Sequence, residues 1–126
     1  MSAVTIKKIS TRRELKAFIR FNYELYKDCP YAVPDFLEDT LDTFNPQKNA
    51  AFDFCDVDYF LALREGKIVG RVAAIINHKA NQTWGTNNAR FGWIDFTACI
   101  IDTVYGDPMF CYDYLYPNPK SVMAFI

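Results

Sequence analysis

The stretch Tyr59–Asn77, YFLALREGKIVGRVAAIIN, decides the fold because it predicts a β-hairpin at the centre of the molecule. Two nearly continuous apolar runs flank a short turn with the sequence Arg64-Glu65-Gly66-Lys67. Gly66 supplies the positive φ that a tight hairpin turn or its bulge requires.

Both strands of this hairpin are apolar on their two faces. On the first strand, alternation places Tyr59, Leu61 and Leu63 on one face and Phe60 and Ala62 on the other. On the second strand it places Ile68, Val72 and Ile76 on one face and Val69, Ala73 and Ile75 on the other. A strand that is apolar on both faces has to be covered on both, so helices or further chain are expected above and below the sheet.

Two helices are predicted before the hairpin. Thr11 and Glu14 form a capping box at the start of the first helix, which runs for about four turns. The second helix covers residues 35–44, with Asp35 as its cap. The apolar stripes are Leu15, Phe18, Ile19, Leu25 and Tyr26 on the first helix, and Phe36, Leu37, Leu41 and Phe44 on the second.

The remaining segments complete the predicted order strand, helix, helix, strand, strand, strand. Residues 4–10 are a short first strand, residues 45–56 a connection with at most one helical turn, and residues 78–89 a polar loop. The last strand, RFGWIDF, is predicted to carry Phe91, Trp93 and Asp95 on one face and Ile94 and Phe96 on the other. The fold class is therefore α+β with a mostly antiparallel sheet.

Composition bounds the classes of function. The chain has 126 residues, 51% of them apolar, which predicts one globular domain. Fourteen basic and fifteen acidic residues give a net charge of −1, which offers no reason to expect nucleic acid or a membrane as partner. No signal peptide and no spanning apolar run is present, so a cytoplasmic location is expected.

The residue types that carry most enzyme chemistry are sparse. The cysteines Cys29, Cys55, Cys99 and Cys111 lie far apart without a C-x-x-C pair, which predicts free buried thiols and no metal site. The single histidine, His78, follows an apolar strand and is expected to be an ordinary surface residue. No phosphate-cradling glycine motif occurs.

The order of elements, together with the turn Glu65-Gly66, the run Ile68-Val69-Gly70 and the strand RFGWIDF, resembles the front half of the GNAT superfamily of acyl-CoA-dependent N-acyltransferases. The resemblance extends over about residues 4–96. It implies a GNAT-like fold and transfer of an acyl group from acetyl-CoA or another acyl-CoA to a small-molecule or peptide amine.

The resemblance also implies roles for the last strand. The backbone of Phe91, Gly92, Trp93 and Ile94 would pair with the pantetheine arm of the acyl-CoA. Asp95 would be the base toward the amine, although a solvated or ion-paired aspartate at a strand end is the alternative interpretation.

Beyond Phe96 the chain departs from this family. The glycine-rich turn that holds the pyrophosphate does not occur, and no later tyrosine can be assigned as the acid among Tyr105, Tyr112, Tyr114 and Tyr116. We therefore interpret residues 1–96 as the front half of a GNAT-like domain, incomplete and inactive alone, and residues 97–126 as an aromatic-rich tail foreign to the family. The rival hypothesis is a non-catalytic module whose tail packs on a partner or on a second copy, as in a homodimer.

Overall fold

The computed structural model describes residues 3–97, and these form an α+β unit around a four-stranded antiparallel sheet. The strands lie in chain order, β1-β2-β3-β4. The elements are β1 (Thr5–Lys8), α1 (Arg12–Leu25), α2 (Leu37–Thr43), a 3-10 turn (Ala50–Asp53), β2 (Cys55–Arg64), β3 (Lys67–Asn77), α3 (His78–Trp84) and β4 (Ala89–Phe96). The class, the antiparallel pairing, and the order of the four strands and the first two helices along the chain are as the sequence predicts.

The β2–β3 hairpin closes through the two-residue turn Glu65-Gly66. Arg64 pairs with Lys67, and both turn residues have positive φ, 51° at Glu65 and 76° at Gly66. Two consecutive positive φ angles are the signature of a type I′ turn, whose twist matches that of the strands it joins. The predicted turn is confirmed.

The core lies between this hairpin and the first two helices. Its buried members are Phe18 and Ile19 from α1, Phe44 after α2, and Leu61 and Ala73 from the hairpin. The capping box of α1 is present, because Glu14 N donates to Thr11 Oγ1 and Thr11 N donates to the Glu14 carboxylate. The amphipathic α1 therefore begins where its sequence predicts.

The start of α2 differs from the prediction. Its N-cap is Phe36, not Asp35, and no side chain caps the helix. Phe36, predicted to join the apolar stripe, is 81% exposed, whereas Leu37 and Leu41 pack against the core. The helix therefore starts one residue later than predicted, and the Phe36 side chain is exposed to solvent.

Residues 78–84, predicted as part of a polar loop, form the helix α3. The Asn77 side chain accepts from Ala80 N at 2.8 Å, and Gly85 ends the helix in the left-handed conformation with φ 63°. An asparagine N-cap and a glycine after the last turn are ordinary helix boundaries. The composition of the segment obscured them, because its side chains are polar on every side.

Two β-bulges change the predicted faces of the strands. The register shifts after Ala62, so that Leu63 pairs with Ile68 and Ile68 packs against the core instead of on the opposite face. A second shift in β4 separates Phe91, which pairs with Ala74, from Asp95, which pairs with Arg71. Phe91 consequently lies on the far face of the sheet, away from α1 and α2.

The far face of the sheet is less covered than the sequence predicts. Ile6, Ile76 and Phe96 lie there and are 64%, 40% and 37% exposed. The helices α1 and α2 both pack on the other face, which carries Leu61 and Ala73. Among the described residues, no helix lies over the centre of the far face in the way that α1 and α2 cover the core.

Candidate functional site

The predicted site strand, β4, is an edge strand of the described sheet. It pairs with β3 on one side, and no other strand within residues 3–97 pairs with it on its other side. A bulge interrupts the ladder between Gly92 and Asp95, where Trp93 and Ile94 together face the single residue Val72. Such a bulge bends the strand and re-aims the side chains around it.

Trp93 is the most unusual backbone position of the strand. Its φ is +48°, a conformation that a bulky residue rarely adopts. The indole packs against the Phe44 ring, with centroids 4.9 Å apart and planes at 74°. This edge-to-face contact holds the bulged residue on the helix side of the sheet.

Asp95 follows the bulge and is held by side chains from two other elements, α1 with its C-cap residue and β3. Its Oδ2 accepts from Arg71 Nε at 2.8 Å and Asn22 Nδ2 at 3.1 Å, and it lies 2.7 Å from Arg71 Nη2. Its Oδ1 accepts from the Tyr26 hydroxyl at 2.9 Å. These four contacts engage both oxygens of a carboxylate that is only 12% exposed.

Arg71 completes the network on the buried side. Its side chain is 6% exposed, its Nη1 donates to the Phe18 carbonyl at 2.9 Å, and its guanidinium lies 5.0 Å from the centroid of the Phe18 ring. The pair Arg71–Asp95 therefore joins α1, β3 and β4. As a base, Asp95 would first have to be released by one of these donors, so the described geometry corresponds to the ion-paired alternative, and the catalytic role stays a prediction.

Sequence reasoning located Asp95 but missed its partners. Asn22 and Tyr26 lie one helical turn apart on α1 and about seventy residues before Asp95 in the chain. Arg71 carried a signal, because it is the one charged residue in the apolar run from Ile68 to Ile76. A charge in such a run is expected to have a buried partner.

Tyr59 lies beside this network on the same face of the sheet. Its ring contacts Phe18 and Phe44, with centroids 5.5 and 5.0 Å away. Burial raises the pKa of its hydroxyl to about 12. Among the described residues this hydroxyl has no hydrogen-bond partner, so Tyr59 acts in the core as an aromatic filler.

The other candidates are ordinary surface or loop groups. His78 is 59% exposed and its Nε2 lies 2.7 Å from Asp56 Oδ2, as a surface histidine would. Cys29 is exposed, contrary to the expected burial, and Cys55 is half-buried; both are free. Within residues 3–97 no group of metal-ligating side chains could hold an ion, and no helix is long and apolar enough to cross a membrane. Cys99, Cys111 and the four candidate tyrosines lie outside the described residues.

The chain is similar to two curated proteins over part of its length. It is 40% identical over 88 residues to a protein named bacterial ceramide synthase from Caulobacter vibrioides, covering 68% of this chain and 23% of that protein. It is 32% identical over 84 residues to protein YghO of Escherichia coli K12, covering 67% and 21%. The chain thus spans less than a quarter of the length of these relatives. No protein-family model and no solved structure matches it significantly.

Proposed function

We propose that this chain carries the front half of a GNAT-like N-acyltransferase fold, in which the edge of β4 receives an acyl-CoA and an amine is the acceptor. The bulged edge strand is the observation that carries the proposal. The bulge leaves the backbone at Trp93 outside the ladder with β3, where it can pair with a ligand that itself contains amides, as the pantetheine arm does.

The name of one similar protein supports the reaction class. A ceramide is the amide of a fatty acid and a long-chain amino alcohol, so a ceramide synthase forms the bond that N-acyl transfer forms. In such a transfer the amine nitrogen forms a bond to the thioester carbonyl carbon, the carbon–sulfur bond breaks and CoA leaves as a thiolate that takes up a proton, and the amine proton passes to a base. The relative extends far beyond this chain, so the activity of the whole protein is proposed here only as a class.

The experiment uses a donor without phosphates. Acetyl-pantetheine retains the amide arm that would pair with β4 but lacks the pyrophosphate, for which this chain has no glycine-rich turn. We expect millimolar binding, because a few backbone hydrogen bonds without a charged anchor supply far less than the ~8 kcal/mol of a micromolar complex. Amide shifts in an NMR titration should be confined to Phe91, Gly92, Trp93 and Ile94.

The opposite edge strand, β1, is the internal control, since the amides of Thr5–Lys8 should not shift. No shift at β4 at several millimolar ligand (about the affinity estimated above), or equal shifts at β1 and β4, would remove the proposal. Saturable binding of acetyl-CoA at tens of micromolar, on the same affinity scale, with amide shifts at β4, would contradict the missing anion site beside this strand and make Asp95 the first residue to mutate.

The non-catalytic alternative is favoured by one observation, the exposed far face. Ile6 and Phe96, 64% and 37% exposed, lie on this face at opposite edges of the sheet. Apolar side chains exposed together on one face of a sheet are typical of a protein-binding surface. The proposed occupant is a second copy of this chain, and sedimentation equilibrium tests it: a monomer at all concentrations excludes this function, whereas a dimer that Phe96→Lys dissociates supports it.

A further inference from the structure

A groove of about 890 Å³ runs between the exposed side of α1 and the β2–β3 turn. Phe21 and Ile68 line its apolar part, and Glu24 is its one carboxylate. Five cationic side chains line the rest: Arg12, Arg13, Lys16, Arg20 and Lys67. The net charge of −1 therefore conceals a strong local excess of positive charge.

These five cations are unpaired within the part of the chain that the structure describes. Other cations of that part have partners. Lys7 pairs with Glu14, Lys8 with Asp58, Lys27 with Glu24, Lys48 with Asp42 and Arg71 with Asp95, while Lys79 lies over the Phe54 ring and Arg90 over the Trp84 ring. The unpaired positive charge of the described residues is thus concentrated in this groove.

Their positions on α1 oppose the stability of the helix. Arg12 and Arg13 occupy the first turn, where the N-terminal end of the helix dipole disfavours cations. Arg12, Lys16 and Arg20 follow one another at four-residue spacing, and like charges at that spacing repel. These cations stabilise neither the helix nor the core, whereas an anion bound in the groove would offset their mutual repulsion.

We propose that this groove binds the phosphate groups of a ligand. Arginine presents a planar fork of donors that engages phosphate oxygens in pairs, and three of the five cations are arginines. The volume falls within the range of small-molecule sites, which favours a phosphorylated compound of nucleotide size, and the same chemistry can come from a lipid headgroup. The site is separate from the β4 edge, and the proposal stands without the acyltransferase proposal.

The test compares two doubly substituted chains that change the net charge equally. Arg13→Gln/Arg20→Gln removes two groove cations, and Lys8→Gln/Lys48→Gln removes two cations whose partners, Asp58 and Asp42, also lie outside the groove. The probe is inorganic pyrophosphate, which contains no acyl arm and so reports nothing on β4. We expect saturable binding by calorimetry that the groove variant weakens about tenfold or more and the control variant leaves within about twofold.

Two further readouts keep the outcome decisive. In the unsubstituted chain, pyrophosphate should shift the amides of Ala17, Gly66 and Lys67, which line the groove, and should raise the thermal midpoint. Without ligand, the groove variant should be at least as stable as the original chain, because it loses the cation Arg13 in the first turn of α1 and the repulsion between Lys16 and Arg20. A groove variant that fails to fold leaves the amide shifts as the deciding measurement.

Vesicles distinguish the source of the phosphate. Binding to phosphatidylglycerol vesicles but not to phosphatidylcholine, lost in the groove variant and with pyrophosphate inactive, would identify a lipid headgroup. Equal weakening in both variants would mean unspecific attraction and would overturn the proposal. No groove-dependent binding of either probe would overturn it as well.

Discussion

One carboxylate, Asp95, joins the first helix to two strands of the sheet, and its partner Arg71 is almost fully buried. Removing one member of a buried pair leaves the other charge without compensation, at a typical cost of 3–5 kcal/mol. We expect Arg71→Leu to lower the free energy of unfolding by about 3 kcal/mol. The double variant Arg71→Leu/Asp95→Leu should lose less than the sum of the single variants, as measured in urea. Strict additivity would show that the two side chains are not coupled.

For single residues, the sequence predicts the strand or helix on which a side chain lies better than the side chains that it contacts. The pattern of RFGWIDF predicted that Asp95 lies on the last strand, and the strand is where it lies. The donors Asn22 and Tyr26 come from α1, and only the packing of that helix on the sheet brings them to the carboxylate. No local pattern encodes a contact across seventy residues, although the lone charge of Arg71 in an apolar strand indicated that a partner had to exist.

The conformation of the hairpin turn depends on one residue, Gly66. Gly66 has φ 76°, and a Cβ built there would meet no atom within 4 Å. The cost of a substitution is therefore backbone strain alone, and Gly66→Val should lower the free energy of unfolding by more than ~1 kcal/mol. Gly66→Asn is the matched control, because asparagine tolerates positive φ, and it should lose clearly less in the same denaturation experiment. Equal losses would remove the strain argument.

The capping box of α1 gives the stability a dependence on pH. Hydrogen bonds from Lys7 and from the Ser10 and Thr11 amides lower the pKa of Glu14 from 4.5 to about 2. A carboxyl whose pKa is lower in the folded state stabilises the fold above its unfolded pKa and loses that contribution as pH falls toward the folded value. We expect the urea midpoint to drop between about pH 4.5 and pH 2. Glu14→Gln should flatten that part of the profile, and an unchanged profile would contradict the lowered pKa.

Elements were predicted where a hydrophobic periodicity marked them, and caps without that periodicity did not lead to a prediction. The capping box and the glycine turn are local, so their residues alone specify them. The bulges after Ala62 and at Trp93 are set by how two strands pair, which explains the wrong faces for Ile68 and Phe91. α3 had both caps, Asn77 and Gly85, but its polar sequence lacked the apolar stripe on which the helix prediction relied.

At the scale of the whole molecule, the hairpin is apolar on both faces, but the described helices cover only one of them. There, α1 and α2 bury Leu61 and Ala73 beneath Phe18 and Phe44. On the far face the described residues leave Ile76 and its neighbours partly exposed. The sequence predicted that both faces are covered, and within residues 3–97 only the face that packs against α1 and α2 has such a cover.

Phe18 is the core residue at which the helices and the sheet meet. The Phe18 side chain is fully buried, and its ring lies 6.0 Å from that of Phe44, 5.5 Å from that of Tyr59 and 5.0 Å from the Arg71 guanidinium. Truncating such a residue loses its transfer free energy and leaves a cavity. We expect Phe18→Ala to lower the free energy of unfolding by about 3–5 kcal/mol, a large part of the stability of a domain this size.

Phe36→Ala makes the same chemical change at a residue that is 81% exposed, and it should alter the free energy of unfolding by less than about 0.5 kcal/mol. Unfolding is followed by far-ultraviolet and aromatic circular dichroism together. In the unsubstituted chain the two signals should change in one transition, because α1, the end of α2 and the hairpin share the Phe18 contacts. Comparable losses for the two variants would mean that the helix layer does not pack on the sheet through Phe18. Separate transitions would mean that the helices and the sheet unfold independently, although their side chains form one cluster.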